Sequence, residues 1–306
     1  LNPARHGVAG RGLELHPDVI TPLDSLVAAG WATHGFAGDE SETYRNLGFQ
    51  AELGEQPDIA ALLSSRAFVW VHLREVHAPY DASAEDLARL GLNPSLPSSP
   101  ILDRARSHPT VPRRDFPGDH RWLRPSIEAL YDAEVADADA ALGLLLEQVP
   151  GRTLVVLTAD HGEELLERGG IGHASTTLDS QPQPELLEIP FLLRFPDGRR
   201  AGEVQPGRIE QQDLMPTLLS LLGVAPALKL DGRDLSAAVL DGAPIDPRPA
   251  LIHSSACGWQ CPQDEPLPFV HGLLDAELLR CVGPPKGCPE PLRTALEQAM
   301  AHPVGT

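Results

Sequence analysis

The sequence predicts an α/β protein, a three-layer α/β/α sandwich around a mixed, mainly parallel sheet, with a small C-terminal α+β subdomain. Two observations predict this fold class. Mainly apolar runs, at residues 67–72, 153–159 and 189–194, are typical of strands buried on both faces. Between these runs the apolar residues recur at helical spacing, and strands that alternate with helices favour a parallel sheet with helices packed on it.

The first elements follow from local patterns. Residues 19–31 have apolar side chains at helical spacing, which predicts a short helix that Gly30 terminates. Residues 31–36 predict the strand that follows it. Residues 82–119 are rich in proline, serine and charge, so we expect mostly surface loop there, with one helix near residues 85–90.

The longest helix is predicted over residues 126–149. The apolar side chains of its stripe are Ile127, Leu130, Tyr131, Val135, Ala138, Leu142, Leu145, Leu146 and Val149. The helix also carries Asp132, Glu134, Asp137 and Asp139, but the glycine and the final glutamate of a calcium-binding loop are missing at the required offsets. We therefore expect these four acids on a solvated helix face.

The later elements complete the layered pattern. Asp213 is expected to cap a helix over residues 213–222 that ends at Gly223. Farther on, the chain changes to short strands, cysteines, prolines and a final helix. We therefore place a domain boundary between a core of residues 1–242 and a C-terminal subdomain of residues 243–306.

Charge and hydropathy exclude some classes of function. The net charge is −19 and the pI is about 4.9, and such a surface repels the phosphates of nucleic acids. No apolar run approaches the ~18 residues that span a bilayer. Because the chain begins with Leu1 rather than methionine, we expect the natural N-terminus upstream, and any membrane association only through that missing segment.

Four cysteines lie in the last fifth of the chain, at Cys257, Cys261, Cys281 and Cys288. Their spacings lack the C-x2-C rhythm of zinc ribbons and oxidoreductases. An even, clustered set favours one or two disulfides, while four free thiols and a metal site remain alternatives. Disulfides imply an oxidising compartment, so we expect a periplasmic or extracellular protein.

Candidate chemistry lies just after the predicted strands, because open α/β sheets bind ligands outside the carboxyl ends of their strands. Asp160 and His161 follow residues 153–159, and a carboxylate with an imidazole can hold one divalent ion. The alternative is a capping aspartate with a surface histidine. His77 and His173 lie on loops that the topology can bring to the same edge, where a protonated imidazole can bind an anion or protonate a leaving group.

The chain also carries an ordered series of motifs. They are Asn2-Pro-Ala-Arg-His-Gly-Val8, Phe68-Val-Trp-Val-His-Leu-Arg-Glu-Val-His-Ala-Pro-Tyr80, Tyr131-Asp-Ala-Glu-Val135, Asp139-Ala-Ala-Leu-Gly143, Leu157-Thr-Ala-Asp-His-Gly-Glu163, Ile189-Pro190, Asp213-Leu-Met-Pro-Thr-Leu-Leu219 and Leu230-Asp-Gly-Arg-Asp-Leu235. In this order they resemble the sulfatases of the alkaline phosphatase superfamily. The segment around Asp160 and His161 is the most specific of the series.

The resemblance implies a metal-dependent hydrolase of sulfate esters. By position, Asp160 and His161 would be metal ligands, and His77 and His173 would contact the anionic group and the leaving oxygen of the substrate. The cofactor would be one divalent ion, with calcium expected first and zinc or manganese as alternatives, and the nucleophile a formylglycine. The alternatives are a phosphoryl or phosphonate ester hydrolase, a phosphoethanolamine-type transferase, and a relative that binds without catalysis.

The sequence departs from the family pattern at its start, near His173, and at residues 36–40, where the family usually has a lysine-histidine segment. The nucleophile motif and the first metal aspartates of the family precede the segment that matches residues 2–8, so we expect this chain to be truncated, inactive and a poor metal binder. The family also often has a lysine near the position of His173, and neither Lys229 nor Lys286 can replace it. This second departure leaves the choice between a sulfate and a phosphate substrate open.

Overall fold

The computed structural model describes residues 18–37, 48–53, 57–108, 111, 115–173, 183–255, 269–274, 278–282 and 288–300. The motif at residues 2–8 and the predictions for Cys257 and Cys261 lie outside them. The helices are α1 (Pro22–Ala28), α2 (Ile59–Leu62), α3 (Ala84–Arg89), α4 (Pro100–Ala105), α5 (Arg124–Gln148), α6 (Pro184–Leu187), α7 (Leu214–Leu221), α8 (Ser236–Asp241) and α9 (Glu290–Met300). The strands are β1 (Ala32–Phe36), β2 (Ala51–Leu53), β3 (Ala67–Val71), β4 (Val155–Thr158), β5 (Glu164–Leu165), β6 (Ile171–Gly172), β7 (Phe191–Arg194), β8 (Ala250–Ser255), β9 (Phe269–Leu274) and β10 (Leu278–Val282).

The strands form parallel and antiparallel sheets. β1 pairs in parallel with β2 on one side and with β3 on the other, with His34 opposite both Ala51 and Val69. β4 pairs with β7, and β5 forms an antiparallel hairpin with β6. β8, β9 and β10 form an antiparallel sheet. Helices interspersed with a parallel sheet confirm the predicted α/β class.

The chain divides into two compact units. The first consists of Leu1–His72, Val149–Val156 and Leu192–Thr306, and the second consists of Leu73–Gln148 and Leu157–Phe191. Each unit therefore contains segments that are distant in the sequence. The domain boundary near residue 243 remains a prediction.

The core of the second unit is built around α5 and the segments that precede it. Its fully buried side chains include Tyr80, Leu87, Leu123, Ile127, Leu130, Leu166 and Ile171. Helix α3 confirms the helix predicted near residues 85–90, whereas α4 was not predicted. The surface position expected for residues 82–119 is wrong in part, because α3 and α4 bury Leu87, Ile101 and Leu102 against that core. Ser83 and Ser99 begin these two helices as N-caps, so local capping overrides the proline-rich composition.

Helix α5 confirms the predicted long helix but corrects its pattern of burial. Asp132, Asp137 and Asp139 are exposed as expected, whereas Glu134 is only 7% exposed. Val135, predicted for the apolar stripe, is 43% exposed. No helix in the part of the chain that the structure describes combines the length and apolar composition needed to cross a bilayer.

Asp213 has a different role from the helix cap that the sequence predicts. It stands at the N-cap position of α7, but its side chain makes no capping hydrogen bond. The carboxylate is 2% exposed and accepts from Arg233 Nη2 at 2.7 Å and from Arg248 Nη2 at 3.0 Å. It also accepts the backbone N–H of Arg233 at 2.7 Å. Asp213 is therefore a buried acceptor that ties residues around Arg233 and Arg248 to the start of α7.

Cys288 lies in a small core of the first unit, with Leu292 fully buried and Leu251 and Ala295 packed against it. Cys288 is disulfide-bonded, and no described cysteine is free. This confirms that the C-terminal cysteines form at least one disulfide.

Candidate active site

Three histidine rings that are separated in the sequence lie together in the second unit. The ring centroid of His173 is 4.6 Å from that of His161 and 5.1 Å from that of His77. Asp160 adjoins the group, with its Oδ2 3.7 Å from His161 Nε2. The structure therefore brings all four predicted site residues together.

Asp160 and His161 begin the loop that follows β4 in the sequence. The backbone N–H of His161 donates to Asp160 Oδ1 at 3.0 Å, which orients the carboxylate of Asp160 relative to the backbone of His161. His161 Nδ1 lies 2.7 Å from the carbonyl oxygen of Gly162, and because that oxygen can only accept, Nδ1 must carry the proton. His161 Nε2 is then the ring nitrogen that can bind a metal ion, as in sites where a backbone carbonyl orients the ligating imidazole.

Gly162 lets this loop pass close to α6. Its N–H donates to the carbonyl oxygen of Leu186 at 2.9 Å. A Cβ atom at this position would lie 2.0 Å from the carbonyl oxygen of Glu185, a contact between backbone groups that no rotamer change can relieve. Glycine is therefore required for this approach, which fixes the position of the residues just before it.

The β5–β6 hairpin returns the chain to bring His173 next to His161. Ile171 pairs with Leu165 in the hairpin and also forms an antiparallel bridge with Val111. Inside the turn, Glu164 Oε1 accepts the N–H of Gly170 at 3.0 Å. This hairpin was not predicted, although two strand residues on either side of a five-residue turn with glycines are a signal for one.

His77 lies at the start of a segment that alternates between buried and exposed residues. Ala78 is 3% exposed, Tyr80 is fully buried and Ala82 is 7% exposed, whereas the residues between them are exposed. The N–H of Tyr80 donates to the carbonyl oxygen of Ala105 at the end of α4, at 3.0 Å. His77 Nδ1 donates to the carbonyl oxygen of Ala78, so its Nε2 is the nitrogen available to a ligand.

The histidines influence one another electrostatically. Burial, followed by the neighbouring His161 and His77, lowers the pKa of His173 to about 4, while Asp160 acts weakly in the opposite direction. His173 is therefore neutral at pH 7 in the protein without ligand, whereas the sequence argument used a protonated imidazole. A neutral imidazole still offers one N–H donor to an anionic oxygen.

Glu163, two residues after His161, and Tyr80, three residues after His77, are buried close to each other. Burial raises the pKa of Glu163 to about 8, and the Tyr80 hydroxyl partly offsets that rise. Burial also raises the pKa of Tyr80, and the Glu163 charge adds to this effect. Glu163 Oε1 and the Tyr80 hydroxyl are both buried, and neither makes a hydrogen bond of regular geometry among the described residues. No role of Glu163 or Tyr80 was predicted from the sequence.

Asp160 and His161, the two predicted metal ligands, are close enough to share one ion. Metal–ligand bonds of about 2.0–2.6 Å allow one ion to touch both Asp160 Oδ2 and His161 Nε2 at their separation of 3.7 Å. No set of three or more His, Cys, Asp or Glu side chains within the described ranges is placed to hold an ion. The chemistry of this pair fits a divalent ion, and further ligands would have to come from elsewhere.

His72, at the end of the 67–72 segment, belongs to the first unit. Its ring stacks on Trp70, with centroids 5.6 Å apart, and its backbone N–H donates to the carbonyl oxygen of Phe36 at 2.8 Å.

Comparison with known proteins defines the class to which this fold and site belong. The family model "Sulfatase" matches residues 39–224, which is more than half of the chain. The chain therefore belongs to the sulfatase family, within the alkaline phosphatase superfamily.

Individual relatives agree with the family. The chain is 28% identical over 184 residues to an endo-4-O-sulfatase of Bacteroides thetaiotaomicron, a match that covers 53% of this chain and 34% of that protein. It is 29% identical over 140 residues to the multifunctional alkaline phosphatase superfamily protein PehA of Trinickia caryophylli, covering 44% of this chain and 25% of the relative. The chain thus spans about a third or less of these curated relatives.

Solved structures support the fold. The phosphonate monoester hydrolase of Agrobacterium radiobacter matches with a TM-score of 0.62 and 16% identity, over 98% of this chain and 82% of that one. A 2-O glycosaminoglycan sulfatase matches with a TM-score of 0.60 and 16% identity, over 92% of this chain and 69% of that one. At this identity the likeness concerns the fold alone.

Proposed function

We propose that the whole protein, including any residues outside the present sequence, is a metal-dependent hydrolase of sulfate esters. The convergence of His77, His161 and His173 beside Asp160 carries the proposal, because it occurs in a chain of the sulfatase family. A carboxylate and several imidazoles at one place suit the binding of a cation together with an anionic group.

Asp160 Oδ2 and His161 Nε2 would hold the divalent ion. Calcium is the first candidate, and zinc and manganese are the alternatives that a histidine ligand suits better. When bound, the ion would stabilise negative charge on the oxygens of the reacting group. The protein's contribution is to orient this ligand: the carbonyl of Gly162 keeps the proton on His161 Nδ1, so that Nε2 stays available to the ion.

His77 and His173 would act on the substrate. His173 can donate a hydrogen bond to an oxygen of the anionic group. His77, whose Nδ1 proton goes to the carbonyl of Ala78, can donate to that group or to the leaving oxygen from Nε2 in its imidazolium form. Their ring centroids are 5.1 Å apart, so one sulfate group can contact both. His173 is partly buried, and contact with an anion would favour its protonated form, opposing the lowering of its pKa by burial.

The nucleophile of the proposed reaction is a formylglycine, as the family resemblance implies. It would lie on a segment that precedes the motifs described above, and the present chain alone should therefore be inactive. The upstream sequence tests this directly: a cysteine or serine in a C/S-x-P-x-R context supports the proposal.

We further propose that the protein acts outside the cytoplasm, in the periplasm or the extracellular space. The disulfide at Cys288 supports this, because disulfides persist in oxidising compartments. The substrate would be an anionic ester. We do not expect a nucleic acid as a partner, because the net charge of −19 repels its phosphates.

Turnover by the whole protein tests the proposed function. The substrates are an aryl sulfate, a sulfated disaccharide, an aryl phosphate and a phosphonate monoester, each assayed before and after removal of divalent ions by a chelator. We expect hydrolysis of a sulfate ester that is lost on chelation and restored by one added divalent ion. Hydrolysis of the phosphate or phosphonate without any sulfatase activity would contradict the proposal and favour a phosphoryl-transferring relative.

A further inference from the structure

We infer that Glu134 is a positioning residue that holds His77 in the candidate active site through the backbone of Asp81 and Ala82. This role rests on the proposed function of His77. Glu134 lies on α5, 57 residues after His77 in the sequence.

The contacts of Glu134 are aimed at the segment that carries His77. Its Oε1 accepts the backbone N–H of Asp81 at 2.9 Å and that of Ala82 at 3.3 Å. Hydrogen bonds from backbone N–H groups to a carboxylate are stronger than those between neutral groups. One carboxylate oxygen therefore fixes two consecutive peptide groups of this segment.

Two further contacts define the position of the same segment. The N–H of Tyr80 donates to the carbonyl oxygen of Ala105 at 3.0 Å. Arg106 Nη2 donates to the carbonyl oxygen of Ala82 at 3.2 Å. With Glu134, they hold residues 80–82 from α5 and from the end of α4.

The burial pattern shows why the position of this segment matters to His77. Ala78, Tyr80 and Ala82 are buried, whereas Asp81 is exposed and His77 is half-buried beside His173. The three buried side chains hold the segment against the core, and the hydrogen bonds from Asp81 and Ala82 to Glu134 set where it lies against α5. Loss of these bonds would let the segment move together with His77, which lies four residues before Asp81.

Burial of a carboxylate at this place has a cost that packing alone does not require. Burial raises the pKa of Glu134, while the hydrogen bonds from Ala82 and Asp81 lower it. An apolar side chain would fill the same space on α5 without that cost, but it could not accept the two N–H groups. The carboxylate at this position of α5 therefore serves the two N–H groups of the segment that carries His77.

The test uses variants of the whole protein and the sulfate ester that it hydrolyses. Glu134→Met removes the acceptor at similar volume, Glu134→Gln keeps an acceptor oxygen, and Asp137→Asn is the control for an exposed acid of the same helix. We expect Glu134→Met to lower kcat by about tenfold with KM within about twofold, and Glu134→Gln to stay within about threefold of wild type. If Glu134→Met does not fold, Glu134→Asp replaces it in the test. This variant shortens the side chain by one methylene, so that the carboxylate no longer reaches the two N–H groups, and we expect the same loss of kcat.

A double-mutant cycle separates positioning from a general loss of structure. If Glu134 acts through His77, Glu134→Met should cost less than about twofold in kcat when His77 is already alanine. Full additivity with His77→Ala, or a wild-type kcat for both Glu134→Met and Glu134→Asp, would overturn the inference.

Nuclear magnetic resonance provides a readout that does not need turnover. In the protein without ligand, Glu134→Met should shift the imidazole resonances of His77 and speed amide hydrogen exchange at Asp81 and Ala82, and Glu134→Gln should do neither. If His77→Ala leaves turnover unchanged, the proposed function of His77 fails, while the resonances still decide whether Glu134 positions the ring. Unchanged resonances and exchange in Glu134→Met would overturn the inference on their own.

Discussion

The ring centroids of His161 and His173 lie 4.6 Å apart, although His173 comes twelve positions after His161 in the chain. The β5–β6 hairpin closes that distance, since it returns the chain at Gly172, directly before His173. A residue that follows a strand end and a residue that follows a hairpin thereby form one site.

His77→Ala and His173→Ala should each lower turnover of the sulfate ester by the whole protein at least ~100-fold, because each loses a donor to the reacting group. The midpoint of thermal unfolding should change little. His108→Ala is the matched control, since this histidine bonds Ser107 and lies outside the site. Small effects on kcat from both site substitutions, comparable with that of the control, would show that His77 and His173 are ordinary loop histidines.

Gly162→Ala should destabilise the protein by about 1–3 kcal/mol, since the new methyl group must displace the backbone of Glu185. Gly143→Ala is the control: this glycine lies within α5 with open space around it, and alanine there should stabilise by about 0.5–1 kcal/mol. Denaturant unfolding of the two variants measures both effects. Equal stability of Gly162→Ala and wild type would mean that the loop does not approach α6 as described.

Asp213→Ala should lower the free energy of unfolding by about 3 kcal/mol, because it leaves the partly buried Arg233 without its carboxylate partner. Asp197→Ala removes an exposed ion pair with Arg199 and should leave the unfolding midpoint close to that of wild type. The measurement compares the denaturant unfolding midpoints of Asp213→Ala and Asp197→Ala with that of wild type. Similar midpoints for both would contradict a structural role for Asp213.

Stability should depend on pH through Glu134. Burial raises its pKa in the folded state, and the charges of Asp81 and Asp137 add to the rise. The folded protein then binds more protons than the unfolded one in the window above the ordinary value of 4.5, so the contribution of Glu134 to stability is present below that pH and is lost as the pH rises.

Glu134→Gln cannot titrate and should lack this dependence. Its stability relative to wild type should therefore increase between pH 4.5 and pH 7 in denaturant unfolding curves. A difference that stays constant over this range would indicate that Glu134 titrates alike in the folded and unfolded states.

The grouping of Asp160, His161 and His77 could be predicted, since each follows a predicted strand or belongs to a motif of the family, and His173 was expected beside them only as a loop histidine that the topology can bring to the same edge. The burial of Glu134 could not, because Glu134 and the exposed Asp132 and Asp137 look alike in the helical pattern. What buries Glu134 is its contact with a segment more than fifty residues earlier in the chain.

Two further differences have separate causes. The composition of residues 82–119 concealed α4, although Pro100 follows its N-cap Ser99, whereas α3, with the capping box of Ser83 and Asp86, lies where a helix near residues 85–90 is predicted. Asp213 was interpreted as a cap from its position alone. Its arginine partners come from residues 20 and 35 positions later, so no local pattern could reveal them.

The binding of one divalent ion by Asp160 and His161 is the most direct test of the site. Metal content of the whole protein, and of its Asp160→Asn and His161→Ala variants, should be measured after dialysis against a weak chelator. The site predicts about one tightly bound ion in wild type and its loss in both variants, since each removes one of few ligands. A full equivalent of the ion retained in both variants would contradict it.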